Sequence, residues 1–138
     1  MDYFKAYFID ILKSKYLQFE GRAPRREFWY FVLFSFIISF ILGFIEGFLG
    51  LGINMQMPTG ETETISILQI LFSLIILLPS IAISIRRLHD IGKSGWWYIL
   101  GVIPFVNLIG IFVLLYFFIT PSQEGDNEFG PFTDTLPL

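Results

Sequence analysis

Residues 86–97 read Arg86-Arg87-Leu88-His89-Asp90-Ile91-Gly92-Lys93-Ser94-Gly95-Trp96-Trp97, and this short polar segment decides the fold. Residues 65–85 precede it and residues 96–119 follow it, and neither run contains a charged side chain. An α-helix needs roughly 20 apolar residues to cross a bilayer core about 30 Å thick. Both runs reach that length, so the segment is predicted to connect two membrane spans.

The composition supports the same interpretation. Of the 138 residues, 54% are hydrophobic and only 15% are charged, whereas a soluble domain has about 25% charged residues. The sequence therefore predicts an all-α integral membrane protein that forms a single membrane domain over residues 1–138. The chain has no cysteine, which excludes disulfides, thiolate nucleophiles and cysteine-ligated metals.

The N-terminal segment predicts an interfacial helix over residues 2–19. Its apolar side chains share one side, and Lys5 and Lys15 intrude there with stems long enough to reach water. A helix packed against the rest of the bundle is an equal alternative. Acidic and aromatic residues fill these positions, so no cleavable signal peptide is predicted.

The first predicted span covers residues 28–50, with Pro24 in a first helical turn. Residues 28–45 contain no charge and correspond to about 27 Å of helix, so Glu46 is expected at the far interface. A buried functional carboxylate is the alternative for Glu46.

Small residues recur every four positions in this span. At that spacing two helices can approach closely in lipid, where packing drives association. The pattern predicts a packing face whose partner is another helix of this chain or a second copy of the chain. Its members are Ser35, Ser39, Gly43 and Gly47.

The rest of the chain predicts a loop, two further spans and a tail. Residues 51–64 form an acidic loop, residues 65–85 the second span and residues 96–119 the third. The third run contains Pro104 and Asn107, so a re-entrant hairpin turning at residues 104–107 is the alternative to one tilted span. Length favours the span. Residues 120–138 are acidic and are predicted to be irregular.

The distribution of basic residues predicts the orientation. All nine Lys and Arg residues lie in residues 5–26 and 86–93, and the 51–64 loop has none. Lys/Arg-rich segments stay in the cytoplasm, so the N-terminus and the 86–93 segment are expected inside and the loop outside. With three full spans, the tail would also lie outside.

The charged residues near the cytoplasmic interface are the candidate site. They are expected to form a structural ionic cluster, with lipid headgroup contact as the alternative reading, and Glu27 is predicted to lie close to Arg86 or Arg87. His89 and Asp90 do not form a catalytic dyad on a helix, because adjacent residues point to different sides. The set comprises Arg22, Arg25, Arg26, Glu27, Arg86, Arg87, His89, Asp90 and Lys93.

Several motifs together resemble the YhaH/YhaI-like family of small bacterial inner-membrane proteins, whose function is unknown. The resemblance spans residues 19–131 and implies a location in the bacterial plasma membrane, without implying an activity. The motifs are Phe19-Glu20-Gly21-Arg22-Ala23-Pro24-Arg25-Arg26-Glu27-Phe28-Trp29, Arg86-Arg87-Leu88-His89-Asp90, Lys93-Ser94-Gly95-Trp96-Trp97, Ile103-Pro104 and Asn127-Glu128-Phe129-Gly130-Pro131.

The sequence favours a non-enzymatic role as a structural, regulatory or partner-binding membrane component. No cofactor, metal site or nucleic-acid partner is expected, since no catalytic set, metal cluster or glycine-rich phosphate loop is present in the sequence. The expected partners are the lipid bilayer, anionic headgroups, a second copy or another membrane protein. The alternative function is a small transporter or channel built by oligomerisation.

Overall fold

The structure is a computed structural model that describes residues 2–133. The N-terminal helix α1 has a π-helical part, Lys5–Ile9, and an α-helical part, Asp10–Ser14. The elements that follow are α2 (Arg25–Leu49), β1 (Ile53–Gln56), β2 (Thr62–Ile65), α3 (Ile67–Asp90), a 3-10 helix (Gly95–Gly101) and α4 (Asn107–Ile119).

Helices α2 and α3 are long and apolar enough to cross a membrane. They have 25 and 24 residues, or about 36–38 Å of helix. Within the most apolar 18-residue window, only 11% of α2 and 22% of α3 is buried inside the protein. A core helix of a soluble protein would be mostly buried, so these exposed apolar faces agree with the first two predicted spans.

The boundaries of both helices differ from the prediction. Helix α2 begins at Arg25, three residues before its predicted start and directly after Pro24. It ends at Leu49, and Gly50 caps it in a left-handed conformation with a φ of 63°. Helix α3 continues five residues past the predicted end, through Arg86 and Arg87 to Asp90. The polar connection after α3 is therefore shorter than predicted. Arg86, Arg87 and Asp90 stay in the helix because buried ion pairs neutralise their charges.

A β-hairpin connects α2 to α3 where an irregular loop was predicted, so the all-α assignment is wrong for this segment. The two strands pair antiparallel, with Ile53 opposite Ile65 and Gln56 opposite Thr62. The turn between them contains Gly60 with a φ of 88°, a conformation that glycine adopts without strain. β-Branched residues on both strands favour the extended backbone.

The third apolar run is divided into two helical arms, so it is not the single continuous helix expected of one tilted span, and the hairpin alternative fits this geometry. The 3-10 helix Gly95–Gly101 packs against α4 in the opposite direction, with the reversal at residues 102–106. A Cβ atom at Gly110 would overlap the carbonyl oxygen of Leu100, so glycine lets the two arms touch. Phe105 has a φ of 67° in the turn.

Helix α1 packs against the bundle and ends at Ser14, five residues before its predicted end. Phe8 and Ile11 are buried in a core with Phe28, Phe31 and Ile83. Tyr3 and Tyr7 stack on Tyr30 of α2, with ring centroids 5.1 Å and 5.3 Å apart. This is the packing that the alternative interpretation of the N-terminal segment predicted.

The described part of the tail, residues 120–133, contains no helix or strand, as its composition predicted. It nevertheless has defined contacts with the ends of α2 and α3. The amide of Gln123 donates to the carbonyl of Asp90 at 2.8 Å, and Asn127 Nδ2 donates to the carbonyl of His89 at 3.0 Å. The tail therefore lies at the same end of the molecule as the arginine-rich segments, opposite to the side expected for three full spans.

Candidate functional site

Four segments meet at one end of the helix bundle. They are the loop after α1, the first turn of α2, the last turns of α3 and the tail after α4. The amide of Ala23 donates to the carbonyl of Arg86 at 3.0 Å, which fixes the loop against α3. We call the five buried charged side chains at this meeting point the arginine cluster: Arg22, Glu27, Arg86, Arg87 and Asp90.

Asp90 is the centre of the arginine cluster and is fully buried. Its Oδ1 accepts from Arg22 Nε at 3.0 Å, and its Oδ2 accepts from Arg87 Nη1 at 2.6 Å. The hydroxyl of Ser122 also donates to Oδ2. Burying a carboxylate is costly unless it is paired and hydrogen-bonded, and here two guanidinium groups and a hydroxyl meet that need.

Arg22 connects α3 to the tail. Besides Asp90 Oδ1, it donates to four backbone carbonyls: Asp90 at 3.1 Å, Gln123 at 2.6 Å, Gly125 at 2.8 Å and Gly130 at 3.4 Å. A guanidinium group has five N–H donors in a fixed plane, so a single buried arginine can order several stretches of irregular backbone. The tail keeps its place without regular secondary structure for this reason.

Glu27 pairs with Arg86, one of the two contacts predicted for it. Arg86 Nη1 donates to Glu27 Oε1 at 2.7 Å, and Lys15 Nζ lies 3.1 Å from the same oxygen. Arg86 Nε also donates to the carbonyl of Gln18 at 3.1 Å. The contact exists because α2 begins and α3 ends at the same level of the bundle.

Arg87 closes the C-terminal end of α4. Its Nε donates to the carbonyl of Phe118 at 3.2 Å, and its Nη2 donates to the carbonyl of Thr120. The last carbonyls of a helix lack partners within the helix and carry partial negative charge. Arg87 therefore stabilises the end of the hairpin while it pairs with Asp90.

His89 is held by a hydrogen bond and by ring stacking. A carbonyl can only accept, so Nδ1 of His89 donates to the carbonyl of Gly21 at 2.9 Å. The imidazole ring stacks on Phe129 with centroids 4.1 Å apart and planes 2° apart. The ring bonds to the loop and not to Asp90, as expected for adjacent helical residues.

The remaining predicted site residues lie outside the arginine cluster. Arg25 and Arg26 are half-buried at the start of α2, where they line a groove with Trp29. Lys93 lies over the rings of Trp97 and Phe117, at 5.7 Å and 5.5 Å from their centroids. The structure thus divides the nine residues into an internal cluster, His89 beside it, and three cations nearer the surface.

Comparison with known proteins identifies the family of the chain. Residues 16–131 match the family described as Protein of unknown function (DUF805). The chain belongs to this DUF805 family. It is 37% identical over 125 residues to the inner membrane protein YhaH of Escherichia coli K12, covering 91% of this chain and 93% of that one.

Two further relatives come from the same organism. The inner membrane protein YhaI is 39% identical over 124 residues, which cover 90% of this chain and 92% of YhaI. The uncharacterized protein YiiR is 30% identical over 98 residues, which cover 70% of this chain and 58% of YiiR. No solved structure matches the chain. The relatives and the two apolar helices make this a bacterial inner-membrane protein of the DUF805 family.

The sequence did not point to the tail residues that complete the site of this DUF805 protein. Ser122, Gln123 and Asn127 all bond to Asp90 or His89. Asn127 belonged to a motif of the family resemblance, which was the one available signal. Ser122 and Gln123 carry no such signal, because their role depends on a chain reversal far away in the sequence.

The predicted packing face meets α3 over only part of its length. Ser39 Oγ donates to Gln69 Oε1 at 2.8 Å, and Gln69 Nε2 donates back to the carbonyl of Ser39. Gly43 lies beside the same amide, whereas a Cβ at Gly47 would have no atom within 4 Å. Ser35 lines a cavity of about 230 Å³ between α2 and α3. The part of this face that makes contact thus packs against α3 of the same chain.

Glu46 is buried at the other end of α2, not exposed at an interface. Its Oε1 accepts from the backbone N–H of Leu68 at 3.3 Å, so it caps the first turn of α3. Its Oε2 is buried without a hydrogen bond, and Glu46 lines a cavity of about 280 Å³ with Asn54 and Thr64. One oxygen of the Glu46 carboxylate therefore has a structural role as a helix cap.

We expect Gly43→Ile to destabilise the protein by about 1–3 kcal/mol, the usual cost of overpacking. A Cβ at Gly43 would lie 2.8 Å from Gln69 Nε2, and the amide is held by its two bonds to Ser39. Gly47→Ile is the matched control and should change stability by less than about 0.5 kcal/mol. Unfolding in mixed micelles followed by circular dichroism measures both, and equal losses would contradict the contact.

Proposed function

We propose that this protein is a non-enzymatic component of the bacterial plasma membrane, with a structural, regulatory or partner-binding role. The observation that carries the proposal is the arginine cluster. Each of its five charged side chains is bonded within the chain, so its polar groups hold the fold together and are not presented to a substrate.

The proposed topology has two membrane-crossing helices and one re-entrant hairpin. Helices α2 and α3 cross the bilayer, and the hairpin formed by the 3-10 helix Gly95–Gly101 and α4 enters and leaves on one side. Its arms have 7 and 13 residues, too few to span a core that needs roughly 20. Contact with α3 gives the irregular backbone the protein cover that it requires in lipid.

The proposed orientation places the N-terminus, the arginine cluster and the tail in the cytoplasm. The β-hairpin then lies in the periplasm. The charge pattern supports this orientation, since residues 51–64 contain no Lys or Arg while both basic segments lie at the opposite end. Tail contacts to Arg22, Arg87 and Asp90 support placing the tail on that same side.

Cysteine labelling tests the topology in this cysteine-free chain. We expect Glu124→Cys, in the exposed part of the tail, to react with a membrane-impermeant thiol reagent only after spheroplasts are lysed. Thr59→Cys, in the exposed turn of the β-hairpin, is the matched control and should react in intact spheroplasts. Labelling of Glu124→Cys in intact spheroplasts would place the tail outside and contradict the re-entrant hairpin.

A transporter or channel is the second candidate, because polar groups line part of the contact between α2 and α3. Ser39, Gln69 and Glu46 lie along this contact, and the cavity beside Glu46 is about 280 Å³. Flux into proteoliposomes above that of empty liposomes, lost on Gln69→Leu, would favour transport. Asn107→Leu serves as a comparison, since Asn107 begins α4 within the hairpin.

Crosslinking in the membrane tests the partner-binding role directly. A photoreactive residue at Glu124 should give discrete protein products, which mass spectrometry can identify. The control position is Phe40, which is 68% exposed on the apolar face of α2 and should crosslink to lipid. Absence of protein products from Glu124, combined with flux in proteoliposomes, would overturn the proposal in favour of transport.

A further inference from the structure

A groove of about 340 Å³ lies beside the first two turns of α2. One end is charged and the other is apolar, which is the pattern of an amphipathic ligand. Five of its residues lie on one side of α2, and the sixth ends α4. They are Arg25, Arg26, Trp29, Tyr30, Leu33 and Ile119.

The walls of this groove are held in place by other contacts. Trp29 Nε1 donates to the carbonyl of Phe118 at 3.2 Å, which fixes the indole ring. Tyr30 stacks between neighbouring rings, 5.3 Å from Tyr7 and 5.9 Å from Phe34. A groove with fixed walls loses little conformational entropy when a ligand enters, so it is preorganised for binding.

Arg25 has unused hydrogen-bonding capacity at the charged end. Within residues 2–133 it forms no ion pair, and its Nη1 makes a long bond of 3.4 Å to the carbonyl of Ile119. Its Nε is buried without a hydrogen-bond partner. A buried donor without a partner is costly, and a phosphate oxygen would satisfy it through the bidentate geometry that guanidinium groups favour.

We propose that Arg25 binds the phosphate of an anionic phospholipid and that one of the lipid's acyl chains lies in the groove. Leu33 lies eight residues after Arg25, a rise of about 12 Å along the helix, which is the length of the first part of an acyl chain. Leu33 and Ile119 are about half exposed, so the apolar end is open to the surrounding hydrocarbon.

A phospholipid fits this groove better than a water-soluble anion does. A free phosphate would use the guanidinium group alone and leave the surface of Trp29, Tyr30 and Leu33 unmatched. The proposal rests on the placement of the start of α2 at the membrane surface. It does not depend on which side of the membrane that surface faces, so thiol labelling and lipid binding can fail independently.

Quenching of Trp29 fluorescence by brominated lipids tests the proposal. The probe is the full chain carrying Trp96→Phe and Trp97→Phe, which leaves Trp29 as the one tryptophan of the sequence. It is reconstituted with phosphatidylglycerol or phosphatidylcholine brominated on the acyl chains. We expect half-maximal quenching at an about fivefold lower mole fraction of phosphatidylglycerol, as expected for one added arginine–lipid interaction near a membrane surface.

Charge-removing variants separate the groove from the general surface charge. Arg25→Gln should reduce the preference for phosphatidylglycerol severalfold, with an unchanged thermal unfolding midpoint. Lys13→Gln removes one charge from an exposed position away from the groove and should keep the preference. Equal loss with Lys13→Gln, or no preference in the starting protein, would overturn the proposal. Displacement of the lipid by inorganic phosphate would assign Arg25 to a free anion and also overturn it.

Discussion

Replacing Asp90 by asparagine is expected to destabilise the protein by about 3–5 kcal/mol, the cost of removing one partner from a buried ion pair. The side chains of Asp90, Arg22 and Arg87 have no exposed surface. Asparagine keeps the size of the side chain and one acceptor oxygen but removes the negative charge. Two buried guanidinium groups would then lack their counter-ion at once.

The matched control for Asp90→Asn is Asp10→Asn. Asp10 pairs with Lys5 at 3.1 Å, but these side chains are 41% and 66% exposed. Surface ion pairs contribute about 0–1 kcal/mol, so this change should hardly alter the free energy of unfolding. Titration with SDS in mixed micelles, followed by circular dichroism, measures both variants.

A second variant identifies the cause of the loss at Asp90. Adding Arg87→Gln to Asp90→Asn removes one of the two stranded charges and should recover part of the lost stability. Comparable losses for Asp90→Asn and Asp10→Asn would mean that the arginine cluster does not hold the fold. Further loss in the double variant would mean that stranded charge is not the reason.

Sequence patterns located the two long helices because lipid imposes a simple rule on them. A crossing helix needs about 20 apolar residues, and both α2 and α3 contain such a run. The same reasoning predicted that Glu27 lies close to Arg86 or Arg87, since antiparallel helices of similar length have their ends at the same level. Predictions of this kind depend only on length and periodicity, which a sequence displays directly.

Length and apolarity alone could not predict the hairpin formed by the 3-10 helix and α4. Residues 96–119 have the length and apolarity of a span, and a buried hairpin arm needs the same apolar residues. The deciding features are local: Gly110 allows contact with Leu100, and Phe105 adopts a positive φ. Both features matter only when the two arms of the hairpin pack together, and the sequence does not show that contact.

The sequence predicted only part of the arginine cluster. An ionic cluster containing Arg86, Arg87 and Asp90 was predicted at the interface, but the sequence did not indicate that all three side chains are buried at the end of α3. Several partners of the arginines are backbone carbonyls: Arg22 donates to the carbonyl of Gln123, and Arg87 donates to the carbonyl of Thr120. Every residue has a carbonyl, so such a contact leaves no trace in the side-chain pattern.

The pairing of Glu27 with Arg86 gives the second large expected effect. Glu27→Gln should cost about 3 kcal/mol, since Arg86 is 1% exposed and would remain buried without a carboxylate. Adding Arg86→Gln should recover part of that loss. The coupling energy from this double-mutant cycle should be about 1–3 kcal/mol, the range for residues in direct contact.

Lys15 supplies the comparison that makes this cycle specific. It lies 3.1 Å from the same oxygen of Glu27, but its side chain is 37% exposed and can turn to water. The coupling of Glu27 to Lys15 should therefore stay below about 1 kcal/mol. Strictly additive losses for Glu27 and Arg86 would show that the two do not interact. Equal coupling to Lys15 and Arg86 would show that burial does not set the strength of the pair, because burial is the main difference between those two cations.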